Sequence, residues 1–205
     1  MIVATNGYTP PGLSWWQRRV VPVPAQILTT EPIGDNLMRR VCPNGRAILE
    51  SRFLFHYLRP TPDGKRLLLG GRYGGTPAKA VAGKKAIKTH FDQIFPELEA
   101  VEITHSWDGF TAFTRDFLPH MGVDNGVHYA MGFCGSGTVW GTWLGHKIGL
   151  KILDSAQSQT LFDTPIPGIP FYRGKPWFLA PAMGWFALKD RLQHYPANLT
   201  RIPPS

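Results

Sequence analysis

Residues 52–59 (RFLFHYLR) alternate in character: Phe53, Phe55, Tyr57 and Arg59 fall on one side, Leu54, His56 and Leu58 on the other. That is the period-two pattern of a half-buried strand. Thr61-Pro62-Asp63-Gly64 is turn chemistry, and residues 66–72 (RLLLGGR) read as the returning strand of a hairpin. Thr76-Pro77 then places an N-cap ahead of a proline at the first helical position. The helix it opens runs to about Ile94, stops before Pro96, and is expected to bury Ala80, Ile87, Phe91 and Ile94. Upstream, Ile2-Val3-Ala4 reads as a strand running into the turn Thr5-Asn6-Gly7-Tyr8. Residues 25–30 form another strand, which Pro22 and Pro24 place at a sheet edge or a crossover. A strand over 101–107 ends in a predicted Asp108-Gly109 turn. A strand over 127–133 enters a glycine-rich turn and a helix over 138–153. Beyond Asp154 the chain turns Ser/Gln-rich and then Pro/aromatic-rich (165–181), an extended surface wrap with a short helix near 185–193. There are no internal repeats. Strands mixed with a few helices predict an α/β (α+β) fold.

With 43% hydrophobic and 18% charged residues in a chain of 205, a substantial core is expected; the 22 glycines and 19 prolines fit many turns. The net charge of +8 raises the possibility of a basic polyanion-binding module. Lys79, Lys84, Lys85 and Lys88, however, cluster on one predicted helix, where a solvated face accounts for them. No aromatic-basic nucleic-acid motif is present, and attraction of an anionic small molecule is the more useful reading. Cys42 and Cys134 lie far apart with no metal spacing, as in a reducing cytoplasm. The opening residues lack the basic region of a signal peptide, and the apolar stretch 138–153 is interrupted by His146, Lys147 and Lys151. A cytoplasmic protein with no membrane span and no nucleic-acid partner is expected.

The segment Gly132-Phe133-Cys134-Gly135-Ser136-Gly137-Thr138 joins a strand to a helix. Small residues let backbone N–H groups face a ligand, and the helix N-terminus behind them carries partial positive charge. Such a turn suits a phosphate, a carboxylate or the electron-rich edge of a reduced flavin. As a nicotinamide fingerprint it is weak, because Asp154 sits in a Ser/Gln-rich stretch and not on a second strand. Gly137, Gly141, Gly145 and Gly149 recur every fourth residue. Each costs about 1 kcal/mol against alanine in a helix interior, so close approach of a sheet or ligand to that face is expected. The Phe53/Phe55/Tyr57/Arg59 face could line a substrate pocket or be an ordinary sheet face. His56, among leucines, reads as a core histidine. His90, His105, His120, His128 and His146 show no ligand spacing. No nucleophile–base set is evident, so no catalytic side chain and no metal site are assigned.

Three stretches, in this order and spacing, resemble the D-amino acid oxidase family of FAD-dependent oxidoreductases, and the likeness covers nearly the whole chain. Val3-Ala4-Thr5-Asn6-Gly7-Tyr8-Thr9 is similar to the family's last Rossmann strand and its turn against the cofactor. Trp107-Asp108-Gly109-Phe110 through Thr114-Arg115-Asp116-Phe117-Leu118-Pro119-His120-Met121-Gly122 resembles its Trp-x-Gly turn followed by Thr-x-Asp-x-x-Pro-x-x-Gly. Tyr129-Ala130-Met131-Gly132-Phe133-Cys134-Gly135-Ser136-Gly137 resembles its closing, flavin-facing motif. The 57–72 hairpin is similar to its substrate-domain sheet. The subgroup resembled is that of glycine oxidase, sarcosine oxidase and gamma-glutamylputrescine oxidase.

The resemblance implies oxidation of the C–N bond of a small-molecule amine or amino acid, with molecular oxygen or another acceptor taking the electrons. It implies a mixed-sheet substrate domain joined to the C-terminal part of a Rossmann-type FAD-binding domain. The expected division is 1–20 (remnant of the FAD-binding domain), 21–106 (substrate sheet), 107–153 (return to the FAD-binding domain) and 154–205 (tail). It places FAD against Thr5, Asn6, Gly7, Gly132, Phe133, Gly135, Ser136, Gly137 and Thr138, and substrate near Tyr57, Arg59, Phe110 and Thr111. The family's Gly-x-Gly-x-x-Gly and its ribose-binding acid are missing and would lie upstream of Met1. Where glycine-oxidase-like members place a carboxylate-binding Arg this chain has Thr111, which shifts the expectation toward an amine or N-substituted amine. Residues 110–114 hold no cysteine, so non-covalent FAD is expected. The alternative expectation is a truncated, inactive fragment of such a flavoprotein.

Overall fold

The computed structural model describes residues 1–72 and 80–193. The chain is α/β and forms two compact units: Met1–Pro24 with Gly109–Trp177, and Ala25–Asp108 with Phe178–Ser205.

In the first unit a three-stranded sheet has the order β1-β8-β7, with β1 Ile2–Val3, β7 His120–Asp124 and β8 Val127–Met131. Strand β1 runs parallel to β8 (Val3 opposite Tyr129), while β7 and β8 form an antiparallel hairpin. Its two-residue turn, Asn125-Gly126, has φ of 47° and 77° at the two positions, the conformation for which this residue pair is suited. Two apolar layers hold the sheet. On one side Val3, Trp16, Val20, Ala112, Tyr129, Met131 and Ile166 are buried together. On the other, Met121 and Ala130 meet Leu144 and Ile148 of helix α4, Gly137–Ile152. A short helix α1, Ser14–Gln17, supplies Trp16.

In the second unit the sheet order is β3-β4-β5-β2-β6: β2 Val21–Thr30, β3 Ile48–Leu49, β4 His56–Pro60, β5 Leu67–Arg72 and β6 Ile103–Phe113. Helices α2 (Asp35–Val41) and α3 (Ala80–Ile94) contribute Val41, Ile87 and Phe91 to a core with Leu28, Leu58, Leu67 and Leu69. Strands β2 and β6 run on from this sheet into the first unit. The prolines of β2 precede its paired stretch, which begins at Ala25 opposite Arg72, so they remove no ladder hydrogen bond to β5.

Several expectations need correcting. The first hairpin strand begins at His56, because residues 52–55 form a turn. That turn is held from a distant part of the chain: Phe53 and Leu54 donate their amides to the two oxygens of Asp190 at 2.9 and 3.0 Å. Phe53 stacks on Phe186, and Phe55 lies against the Arg72 guanidinium. The face proposed for Phe53, Phe55, Tyr57 and Arg59 therefore does not exist as one strand face. Asp108-Gly109 is no turn but the interior of β6. Tyr8 approaches closely there: a Cβ at 109 would lie 2.8 Å from its hydroxyl, which would have to shift. Ile94 is 40% exposed and outside the buried stripe of α3. The helix-opening Thr76-Pro77 lies outside the described residues. The late helix is longer than expected: α5 spans Leu179–Gln193 and takes in Pro181 in its first turn, where proline leaves no helical bond unmade.

Asp190 is 6% exposed. Asp190→Ala would leave two amides of the 52–55 turn unpaired, and a loss of about 2 kcal/mol in unfolding stability is expected. Denaturant unfolding together with proteolysis of α5 checks this; unchanged stability would show that the carboxylate is dispensable.

Candidate functional site

Parallel strands end at the same edge of a sheet, and ligands of α/β folds sit beyond the carboxyl ends of their strands. Strand β1 leads there into the single 3₁₀ turn Asn6–Tyr8, and β8 into the 132–136 turn. The two turns are tied directly: Gly132 donates its amide to Asn6 Oδ1 at 3.0 Å. Asn6 reaches it from a left-handed conformation, φ 46°. Thr9 donates its hydroxyl to the Asn6 carbonyl at 2.7 Å, and Thr5 and Thr9 share a hydroxyl hydrogen bond at 2.9 Å. Gly7 is buried against Phe110, whose Cβ would lie 2.8 Å from a Cβ at position 7. Tyr8 closes the arrangement, its hydroxyl accepting the Phe110 amide at 3.1 Å and its ring meeting Phe110 edge-on at 5.5 Å.

The 132–136 turn needs three left-handed residues: Gly132 (φ 80°), Cys134 (φ 51°) and Gly135 (φ 98°). Two are glycines, which adopt this conformation freely. Cys134 is held there by its amide bond to the Ala112 carbonyl at 2.9 Å. Ser136 precedes α4 without a side-chain cap, and Trp140 is the first helical residue whose amide reaches back, to the Ser136 carbonyl at 3.1 Å. The amides of Gly137, Thr138 and Val139 thus have no acceptor among the described residues. No acidic side chain lies in that turn, and residues 135–139 are exposed. Open first-turn amides on a 16-residue helix suit an anionic or electron-rich group. The residues present therefore fit the edge of a flavin.

The glycine face of α4 does not have the close neighbour that its sequence predicts. A Cβ at 137 or 141 would make only ordinary contacts, 3.8 and 3.6 Å from Phe133, and positions 145 and 149 meet nothing within 4 Å. The side of the helix that packs in this chain is that of Leu144 and Ile148.

Among the residues expected near substrate, Phe110 and Thr111 belong to the first unit and Tyr57 and Arg59 to the second. Phe110 and Thr111 are consecutive on β6 and so project to opposite faces. Thr111 donates its hydroxyl to the Val23 carbonyl at 3.2 Å. The Tyr57 ring lies against Gly70, where a Cβ would fall 2.1 Å from its Cζ, and burial raises the phenol pKa. Arg59 is exposed.

A cluster in the second unit has no signature along the chain. Glu50 accepts from the His56 amide at 2.7 Å, lies 2.5 Å from His56 Nδ1 and 3.0 Å from His90 Nε2, and has Arg52 at 3.4 Å. Burial pushes the Glu50 carboxyl up, but the bonds from His56 and His90 outweigh it and hold the pKa well below the usual carboxylate range. The two imidazoles are stacked, centroids 3.9 Å apart and 22° from parallel. A metal must lie in the plane of each ligating ring, and nearly parallel rings stacked this way do not aim at one point. The cluster, as built, is a carboxylate bridging two histidines. His120, also without sequence signal, is buried between Asp116 (3.1 Å from Nε2) and the Thr164 hydroxyl (3.0 Å from Nδ1). Asp116 is pushed up by partial burial, yet its bond to His120 leaves its pKa lowered overall.

A parallel strand pair ending in a glycine-lined turn and an open helix N-terminus places the chain in the α/β class, with room for an anionic or electron-rich group beyond the strand ends. Comparison with known proteins gives the particular family: residues 1–149 match DAO, FAD dependent oxidoreductase, and the chain belongs to it. It is 29% identical over 202 residues to gamma-glutamylputrescine oxidoreductase of Escherichia coli (strain K12), covering 94% of this chain and 46% of that protein. It is 30% identical over 195 residues to the probable oxidoreductase OrdL of Rhizobium meliloti (strain 1021), covering 93% of this chain and 44% of that protein. The chain thus spans less than half the length of these curated relatives. Among solved structures, iminodiacetate oxidase from Chelativorans sp. BNC1 shares the fold with a TM-score of 0.60 at 17% identity, over 79% of this chain and 45% of that one. L-proline dehydrogenase from P. horikoshii does so with a TM-score of 0.60 at 22% identity, over 78% and 43%. Among the described residues no helix is long and apolar enough to cross a membrane.

Proposed function

We propose that this chain supplies the flavin-edge turn and the substrate sheet of an FAD-dependent oxidoreductase acting on the C–N bond of an amine or amino acid. The single observation that carries the reading is the uncapped start of α4, where three amides face outward beyond a turn pinned to Asn6. FAD, held there without a covalent bond, would supply the redox chemistry at the C–N bond. The protein's part is to orient and to stabilise charge. The Asn6–Gly132 bond sets the turn. The amides of Gly137 and Thr138 favour negative charge on the ring edge, aided by the helix dipole. Thr5, Gly7, Phe133, Gly135 and Ser136 complete the cofactor side, where small or glycine positions permit close approach. Tyr57, Arg59, Phe110 and Thr111 are assigned to substrate. Thr111 in place of an arginine favours an amine over an α-amino acid. Within this proposal residues 1–20 and 107–153 belong to the FAD-binding part, 21–106 to the substrate part and 154–205 to the tail. Molecular oxygen or another acceptor would take the electrons.

Gly137→Val tests the placement. A Cβ at 137 meets only Phe133, at 3.8 Å, so the fold tolerates the side chain, while its bulk screens the open amides. Titration of the chain with FAD, followed by quenching of flavin fluorescence, should give binding weakened at least tenfold in the variant, with the thermal midpoint unchanged. Undiminished FAD affinity would remove the cofactor from this turn. The coverage of less than half of each relative favours a second reading, in which the chain binds little flavin alone. In that case wild type and variant alike leave FAD fluorescence unchanged.

A further inference from the structure

A cavity of about 380 Å³ in the first unit is lined by Arg18, Arg19, Gly168, Ile169, Phe171, Tyr172 and Arg173. Three guanidiniums line it and no carboxylate does. We propose that this cavity binds a phosphate group.

The walls are held in place by groups other than a ligand. Arg19 donates Nε to the Ile166 carbonyl at 3.2 Å and Nη1 to the Trp15 carbonyl at 2.8 Å, and its guanidinium lies over the Trp15 ring at 3.9 Å. Buried Tyr172 donates its hydroxyl to the Val20 carbonyl at 3.0 Å. Gly174, in the left-handed region at φ 88°, is pressed so closely on Gln17 that a Cβ there would lie 2.4 Å from Gln17 Cδ. Residues 168–174 are thus fixed against the C-terminal end of α1 from both sides. Arg19 is therefore preorganised and loses little on binding, while Arg18 and Arg173 are exposed at the rim.

The charges are left over. Among the described residues no ion pair engages Arg18, Arg19 or Arg173. Arg18 spends only Nε, on the Ser14 carbonyl at 3.1 Å, so both terminal nitrogens remain. Burial and then the neighbouring Arg18 lower the Arg19 pKa, and the charge of Asp124 offsets them only in part, as expected where like charges crowd. A planar guanidinium presents paired N–H donors that match a tetrahedral oxyanion, and three of them suit a dianion better than a single carboxylate. The cavity is separate in residues from the 132–138 turn, so the inference does not rest on the flavin reading.

Calorimetric titration of the whole chain with inorganic phosphate at low ionic strength tests it. Saturable binding is expected that falls at least tenfold in each of Arg18→Gln and Arg173→Gln, and not in the control Arg191→Gln, which removes the same charge elsewhere. Binding should weaken as salt rises. A parallel titration with glycerol phosphate distinguishes the sources: tighter binding than inorganic phosphate indicates an esterified ligand, weaker binding the free anion. No saturable binding, or binding indifferent to both substitutions, overturns the proposal. Equal binding of succinate would overturn it in favour of a general dicarboxylate site.

Discussion

Gly132→Ala is expected to lower the unfolding free energy by about 3 kcal/mol and to abolish any flavin binding. Two costs add. At φ 80° an L side chain is strained by about 1–2 kcal/mol. A Cβ there would also lie 2.3 Å from Thr114 Cγ2 in a buried position, and such overpacking costs about 1–3 kcal/mol. Thr114 cannot simply rotate away, because its hydroxyl is bonded to the Leu118 carbonyl at 2.7 Å. The two costs can be separated. Thr114→Ser deletes Cγ2 and keeps the hydroxyl, so Gly132→Ala/Thr114→Ser should recover the overpacking part and leave the backbone strain. Denaturant melts of the four proteins give the coupling directly. If the double variant is no more stable than Gly132→Ala, the steric account of this turn is wrong.

Glu50→Gln should cost about 2 kcal/mol at neutral pH, since the carboxylate accepts three hydrogen bonds from His56 and His90. Its pH dependence is the sharper signature. The folded-state pKa lies below the ordinary value of 4.5, so the folded protein favours the deprotonated carboxyl. That contribution is fully present above pH 4.5 and is lost as pH falls below it through the depressed folded-state value. Wild-type stability should therefore drop on acidification below pH 4.5 more steeply than that of Glu50→Gln. Parallel profiles for the two proteins would mean that Glu50 is not the group responsible. Because the carboxylate is partly open to water, solvent screening limits the size of the effect.

Local pattern and glycine placement carried much of this protein. The Asn125-Gly126 pair suits the tight hairpin found there, although that turn was not read along the chain. Alternation among Leu67, Leu69 and Leu58 dictates the strands of the second unit. Gly132 and Gly135 announce a left-handed turn ahead of a helix, because only residues without a Cβ enter that conformation freely. The order of three motifs was enough to indicate the family. What the sequence misplaced depends on partners distant along the chain. The alternation from Phe53 onward reads as strand, yet Asp190, more than a hundred residues away, captures the amides of Phe53 and Leu54 and makes a turn. Asp108-Gly109 reads as a turn, yet it lies within a continuous strand, with the Tyr8 hydroxyl close over the glycine. Glu50, His56 and His90 have no common spacing, because the end of one strand, the start of another and a helix bring them together. Three arginines became a cavity only when Tyr172 and Gly174 fixed the later loop against α1. Period and backbone conformation are local properties and can be read along the chain. Capture of an amide, convergence of charges and the room left for a Cβ are set by neighbours in space, which only the tertiary structure supplies.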